Sequence, residues 1–266
     1  MEILGYAAAV LIGITLGLIG GGGSILAVPV LVYLMGMPPV AATGASLFIV
    51  GVTSLWGGVS YARRGLVAGR TALTFGVASV VAVYVVRRWV LPAVPETLFA
   101  VGGATVSRDA LLMVAFALLM VTAALSMLRG GGAKTTVTVC RPPGAFRMRA
   151  RSLGVGGLVG TTTGLVGVGG GFLIIPALVS LCRLPMRVAV GTSLWIIAAG
   201  ALLGFAGDLQ HHTPDWPLLV TFTALSVLGI LIGMYLTRYV DGARLRRAFG
   251  WFVLVMGGFV LLQELL

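Results

Sequence analysis

Apolar residues in this chain run in long continuous stretches, separated by short connections rich in glycine or basic residues. Ten such stretches can be drawn, at residues 3–19, 24–36, 40–62, 71–86, 110–128, 152–168, 171–182, 188–207, 216–236 and 248–264. Continuous runs predict helices, because strands of a membrane barrel would alternate apolar and polar positions. A hydrocarbon core of about 30 Å is crossed by about 20 residues of helix. Residues 3–62 contain no Asp, Glu, Lys, Arg or His, so several crossings fit there. The pattern predicts an all-α, polytopic helical membrane protein. Its expected parts are an N-terminal transmembrane repeat over residues 1–128, a basic linker over 129–151 and a C-terminal repeat over 152–266.

The repeat is read directly from the residues. Residues 17–47 and 164–194 share 15 of 31 positions at a constant offset of 147, without a gap. In each copy a long apolar run is interrupted by glycines and then by a proline, Pro29 or Pro176. Runs broken at corresponding places in two halves point to a transport site between structural repeats. The second stretch of each half spans only a dozen or so residues, roughly 18 Å of helix at 1.5 Å per residue, which is short for a crossing. Each first-and-second pair is therefore expected as a hairpin that turns at its glycines inside the membrane. The rival reading makes each pair one long, tilted, broken span.

Charge separates the two. With five stretches per half, the segments 63–70, 129–151, 183–187 and 238–247 all lie on the cytoplasmic side and hold 15 of the 18 Lys and Arg residues. Only Arg87, Arg88 and Arg108 are then left outside, with the acids Glu96, Asp109, Asp208, Asp215 and Glu264. That assignment makes each half an odd number of crossings, so the two copies are expected as inverted repeats. Four spans per half would give parallel repeats and place Arg183, Arg187 and the 238–247 cluster outside.

Composition agrees with the membrane reading. The chain is 59% hydrophobic and 9% charged, too little polar surface for a soluble globule of 266 residues. A net charge of +11 in a soluble domain would suggest nucleic acid, but here the basic residues sit in short loops, and no nucleic-acid partner is expected. The basic linker faces anionic lipid headgroups. Cys140 and Cys182 form no C-x-x-C and are read as incidental thiols. The opening MEILGYAAAV lacks a basic segment and is expected to remain as the first helix.

The chemistry expected at the breaks follows from backbone groups. A helix that restarts after glycine presents free N–H groups and a partial positive charge, which together seat an anion. Candidate substrate-binding positions are Gly20, Gly22, Gly23 and Ser24 at the first break, and Thr163, Gly169, Gly170 and Gly171 at the second. Ser46 and Ser193, at equivalent positions in the third stretch of each half, complete the set. Plainer accounts stand beside these: glycines that allow tight packing, and hydroxyls that bond back to their own helix, as also for Thr161 and Thr162. Trp56 and Trp195 are either vestibule residues or ordinary packing and interface aromatics. Neither glycine run is a nucleotide loop, since G-K-[ST] is absent and Gly167–Phe172 lacks the last glycine of G-x-G-x-x-G. No catalytic residue, cofactor or metal site is expected. Asp208, His211, His212 and Asp215 are read as a solvated outer loop, with a proton or metal site as the lesser alternative.

These residues resemble the sulfite exporter TauE/SafE family of membrane proteins. The resemblance rests on G-L-[IV]-G-x-G-G-[SG]-x-[LI]-x-[VI]-P at Gly17–Pro29 and Gly164–Pro176, and on A-x-G-[AT]-S-L at Ala42–Leu47 and Ala189–Leu194. It implies a multi-pass permease of the cytoplasmic membrane that carries small sulfur-containing anions such as sulfite or a sulfonate, in either direction. The residues themselves support the coarser reading, a secondary transporter with a site for an anion. A transporter of another small organic anion, a non-transporting scaffold, and an intramembrane enzyme using His211, His212 and Asp215 remain as alternatives. The oligomeric state stays open, a homodimer included.

Overall fold

The computed structural model describes residues 2–95, 97–101, 104–129, 145–167, 169–182, 184–209, 214–237 and 242–265. Among them the chain is helical apart from one antiparallel ribbon, β1 (Thr97–Val101) paired with β2 (Ala104–Ser107). The first half holds α1 (Glu2–Ile19), a broken helix α2 over residues 21–34, α3 (Pro39–Arg63), α4 (Gly69–Ala93) and α5 (Arg108–Arg129). The second half holds α6 (Ala145–Val166), α7 (Gly171–Leu181), α8 (Met186–Asp208), α9 (Trp216–Leu236) and α10 (Gly242–Leu265). Pro39 and Pro217 sit in the first turns of α3 and α9, where a missing N–H has no intrahelical partner to lose. Helices α3, α4, α8 and α9 and residues 108–125 of α5 are long and apolar enough to cross a membrane.

Two boundaries differ from the sequence expectation. Residues 145–151, assigned to the linker, form the first turns of α6. The rest of the linker, residues 130–144 with Cys140, lies outside the described residues, as do Arg183, His211 and His212. The stretch at 71–86 does not stop at Val86 either. Its helix runs on through a π-helical turn, Val86–Val90, to Ala93 and carries Arg87 into the protein interior.

Glycine decides which helices touch. In a bilayer, lipid tails are as apolar as leucine, so helices associate by close packing of small residues. Helix α1 runs parallel to α9, with Gly13 against Ser226 and Gly229, and Gly17 against Ile230 and Gly233. A Cβ at Gly17 would sit 2.6 Å from the Ile230 carbonyl oxygen, closer than side chains approach. Helix α6 runs parallel to α4 in the same way, with Gly156 on Phe75, Gly160 on Ser79 and Gly164 on Val83 and Val86. Between these pairs α3 and α8 cross antiparallel: Gly44 meets Asp208, Gly51 meets Leu202, Gly58 meets Trp195 and Gly191 meets Tyr61. The sequence offset recurs in these contacts. Shifting Gly13 and Ser226 by 147 in opposite directions gives Gly160 and Ser79, which are again partners.

Large apolar side chains point the other way. Leu73, Val77 and Val81 on α4, Leu228 and Ile232 on α9, and Trp251, Val255 and Phe259 on α10 are exposed at helical spacing. Such a surface is stable only against hydrocarbon, which places it in the lipid. One apolar groove of about 480 Å³ opens on this surface between α4 and α8, walled by Gly69, Leu73, Val77, Trp195 and Ile196. At the other end of the α3–α8 pair the rings of Phe48, Phe205 and Trp216 pack together with centroids 5.0 to 6.3 Å apart. The counterparts of Phe205 and Trp216 at the 147-residue offset are Gly58 and Gly69; Gly69 lines the groove, and Gly58 packs against Trp195 in its wall.

Gly13→Ala should destabilise the protein, because the new methyl overlaps the Ser226 carbonyl on α9; overpacking of this kind costs roughly 1–3 kcal/mol. Gly258→Ala, where a Cβ meets open space, should be neutral or slightly stabilising. Thermal unfolding of the two variants in detergent checks the contrast, and equal stability would contradict glycine-mediated packing.

Candidate functional site

The first break is at Gly20, whose φ of 78° and ψ of −144° lie outside the range open to side-chain-bearing residues. The chain restarts as a 3₁₀ turn, Gly21–Leu26, passes through one α turn, Ala27–Pro29, and relaxes into a π-helical end, Val30–Leu34. Pro29 lacks the N–H that a regular ladder would use, in keeping with this irregular path. The second break uses three left-handed glycines, Gly167, Gly169 and Gly170, before α7 starts at Gly171. Left-handed backbone costs a side-chain-bearing residue about 1–2 kcal/mol, so the glycine run is required there.

The two breaks meet. Gly21 and Gly171 touch through their Cα atoms, so that a Cβ on either would overlap the other. The N-terminal ends of α2 and α7 thus abut, each the positive end of a helix dipole worth about half an elementary charge. Gly20, Gly21, Gly23, Ser24, Gly169, Gly170 and Gly171 are all buried, and Gly22 lies within the same 3₁₀ turn.

The hydroxyls divide into two kinds. Ser24 donates to the Gly21 carbonyl at 2.7 Å and Ser193 to the Val190 carbonyl at 2.8 Å. Ser46 donates to the Thr43 carbonyl at 3.0 Å and also reaches the Gly167 carbonyl across the break. In this conformation these three serine protons go to carbonyls. Thr163 is different: its Oγ1 is buried, faces Gly170 and has no hydrogen-bond partner. Thr161 and Thr162 bond back to their own helix on its exposed side. Trp195 donates to the Gly58 carbonyl at 3.0 Å as a packing residue, while Trp56 is exposed.

Sequence reasoning missed the charged pair beside the second break. Arg87 and Asp208, expected with the outer loops, are both buried at the α4–α8 contact. Arg87 has no exposed surface at all. Its Nε donates to the Gly164 carbonyl at 2.7 Å, a group in the last turn of α6 with no regular intrahelical donor. Its Nη1 lies 3.6 Å from Asp208 Oδ2, and Nη2 would be 2.6 Å from a Cβ placed on Gly167. Neither Nη1 nor Nη2 has a hydrogen-bond acceptor among the described residues. Gly204 and Gly207 on α8 leave room for the arginine stem, and Gly44 on α3 leaves room for the carboxylate. A usable signal was present: apolar residues continue past Arg88 through Trp89, Val90 and Leu91, so the pair of arginines stands inside an apolar run and not at its edge. Asp215 has the more ordinary role of capping α9, accepting from the Leu218 N–H at 3.4 Å. Among the described residues no group of three or more His, Cys, Asp or Glu is placed to hold a metal.

Glycine-packed helices, a lipid-facing shell of large side chains and two helix breaks that meet head to head define a polytopic helical membrane protein. The model of the sulfite exporter TauE/SafE family matches residues 5–260, and the chain belongs to that family. A probable membrane transporter protein of Xylella fastidiosa (strain Temecula1 / ATCC 700964) is 31% identical over 257 residues, covering 94% of this chain and 91% of the relative. The probable membrane transporter protein YdhB of Bacillus subtilis (strain 168) is 27% identical over 238 residues, covering 90% and 91%. No solved structure matches the chain. Family and fold together make this a multi-pass membrane transporter.

Asp208→Ala should be strongly destabilising, by about 3–5 kcal/mol, because it leaves a buried guanidinium without its counter-charge. The double substitution Arg87→Met with Asp208→Leu should recover most of that loss. Thermal unfolding of both variants in the same detergent tests the order, and a harmless Asp208→Ala would mean the pair is solvated.

Proposed function

We propose that this chain is a secondary transporter that moves a small sulfur-containing anion, such as sulfite or an organosulfonate, across the cytoplasmic membrane by alternating access. The observation that carries the proposal is the contact of Gly21 with Gly171, which sets two helix N-termini against each other at a buried point. Two like dipole ends repel in a medium of low dielectric, and an anion between them removes the repulsion. Irregular backbone at membrane depth is tolerated where it lines a cavity or is held by protein. A site that opens and closes serves both conditions in turn.

The antiparallel crossing of α3 and α8, which carry the matching A-x-G-[AT]-S-L elements, favours inverted repeats over parallel ones. Inverted halves rocking about a shared site give alternating access without any new fold element. Burial of both breaks suits the occluded point of such a cycle. In this orientation the basic segment 129–151 is cytoplasmic. The family's name and the relatives' names support transport; the sulfur-containing cargo follows from the family resemblance together with a site built for negative charge.

Counterflow in proteoliposomes tests the reading with labelled sulfite, methanesulfonate and acetate. Saturable uptake of the two sulfur anions is expected, with acetate much weaker. Gly170→Leu, which places a side chain on a left-handed residue against Thr163, should abolish it. Ser46→Ala, which removes the hydroxyl that reaches the Gly167 carbonyl, should lower kcat/KM roughly tenfold, the size of one lost hydrogen bond. Uptake that ignores both substitutions would overturn the site, and uptake of acetate alone would point to another small organic anion.

A further inference from the structure

The geometry points to Arg87 as the fixed cation of the anion site and to Asp208 as the carboxylate that the entering anion displaces from it. This rests on the transporter reading above and adds the charge rule that the glycine breaks alone do not supply.

Three observations converge. First, Arg87 is fully buried, yet among the described residues only its Nε makes a hydrogen bond, to the Gly164 carbonyl, while Nη1 and Nη2 have no acceptor there within hydrogen-bond distance. A guanidinium is always charged and offers its donors as a planar fork that matches two oxygens of an oxyanion. Unused donors on such a group, in a dry interior, are a cost that a ligand oxygen removes. Second, Nη2 lies against Gly167, the first left-handed residue of the second break, and Thr163 Oγ1, also buried and unpartnered, faces Gly170 at the other end of the same break. The first turn of α7 follows directly from Gly170, so its positive dipole end lies on the Thr163 side of the break. Third, Asp208 stands 3.6 Å from Nη1, close enough to balance the charge and too far for a good hydrogen bond. The carboxylate compensates Arg87 without saturating it.

The pair is not a feature of both halves. The counterparts of Arg87 and Asp208 at the 147-residue offset are Met234 and Tyr61, and the partner of Gly20 that corresponds to Thr43 beside Gly167 is Val190. Among the described residues charge is therefore supplied at the second break alone, and the anion sits against Gly167 and Gly169–Gly171, off the midpoint between the two halves.

Charge conservation then selects the cargo. Without substrate the site holds one positive and one negative group. An anion that takes the place of Asp208 on the guanidinium keeps the buried region neutral only if it carries a single negative charge. Asp208, at the last residue of α8, then turns toward the membrane surface. A doubly charged anion leaves one charge unbalanced beside Arg87, which low-dielectric surroundings disfavour. Singly charged sulfonates and hydrogen sulfite fit this rule, and sulfate does not. The same exchange sets the transport cycle, because the unloaded carrier reorients with Arg87 paired to Asp208 and the loaded one with Arg87 paired to substrate.

Thermal shift titrations of the full-length protein in detergent, at constant ionic strength made up with gluconate, test the exchange. Methanesulfonate should stabilise the wild-type protein saturably, and sulfate should need at least tenfold higher concentration. Asp208→Asn should be less stable alone, regain its stability as methanesulfonate is added, and bind it at least tenfold more tightly than the wild type. In proteoliposomes that variant should lose a larger share of net efflux than of counterflow. Should Asp208→Asn fail to fold, the double variant Arg87→Met with Asp208→Asn, which removes both charges together, decides instead: it should show no stabilisation by either anion. Tighter binding of sulfate than of methanesulfonate, an unchanged affinity in Asp208→Asn, or a double variant that binds like the wild type would each overturn the assignment. Wild-type protein with no anion counterflow would overturn the transporter reading itself, whereas unchanged counterflow in the double variant overturns only the role of Arg87.

Discussion

Breaking a helix inside hydrocarbon frees backbone groups that no water reaches, and this one constraint organises the centre of the molecule. The last turn of α6 shows how it is met. Its carbonyls at Thr163 and Gly164 and the loop carbonyl at Gly167 are taken up by the Gly167 N–H, the Arg87 Nε and the Ser46 hydroxyl in turn. Two of those donors come from the other half of the chain, from α4 and α3. The break in one half is therefore held by side chains of the other, which ties local backbone geometry to the association of the halves. Arg87 gains from this placement too, since a cation at a helix C-terminus is favoured by the dipole.

Close approach of backbones is the second requirement, and it runs on glycine. Gly13, Gly17, Gly229 and Gly233 bring α1 onto α9, while Gly156, Gly160 and Gly164 bring α6 onto α4. Gly21 and Gly171 do the same for the two half-helices, next to Gly20 and Gly170, whose positive φ makes the turns. Gly171 illustrates the difference between those roles. Its backbone is ordinary helix, so only the missing Cβ matters, whereas Gly170 beside it needs a left-handed φ as well.

Much of this was legible in the chain. Continuous apolar stretches marked the helices, and the duplicated glycines fall at both breaks, although the first helix restarts at Gly21, ahead of the stretch drawn from residue 24. The hydroxyls were harder to read. Ser24, Ser46 and Ser193 were visible as candidates, but whether a serine turns to its own helix or to a ligand depends on side-chain rotation, which spacing does not encode. Arg87 and Asp208 were assigned to the outer surface by a rule that treats charge near a segment end as loop. That rule fails here because a π-helical turn carries α4 beyond Arg87 and because Gly204 and Gly207, a hundred residues away in sequence, open the space its side chain fills. The contact between α4 and α8 is a tertiary fact with no local signature.

The departure from symmetry between the halves bears on how such a protein works. Several glycine contacts repeat at the 147-residue offset, Gly13–Ser226 with Gly160–Ser79, Gly17–Ile230 with Gly164–Val83 and Gly44–Asp208 with Gly191–Tyr61, so this part of the framework treats both halves alike. Its fillings do not repeat. One end of the α3–α8 crossing has Asp208 facing Gly44 and three packed aromatic rings; the other has Tyr61 facing Gly191, and glycines at two of the corresponding ring positions. Under the proposed alternating access, a framework with matching halves supplies two conformations of similar energy. On the same reading, different groups at the two ends make those conformations distinguishable to a charged solute, since among the described residues only the second break has a cation beside it. Under the transporter reading, the shared glycine scaffold supplies the motion, and the few positions where the repeats differ supply the recognition of charge.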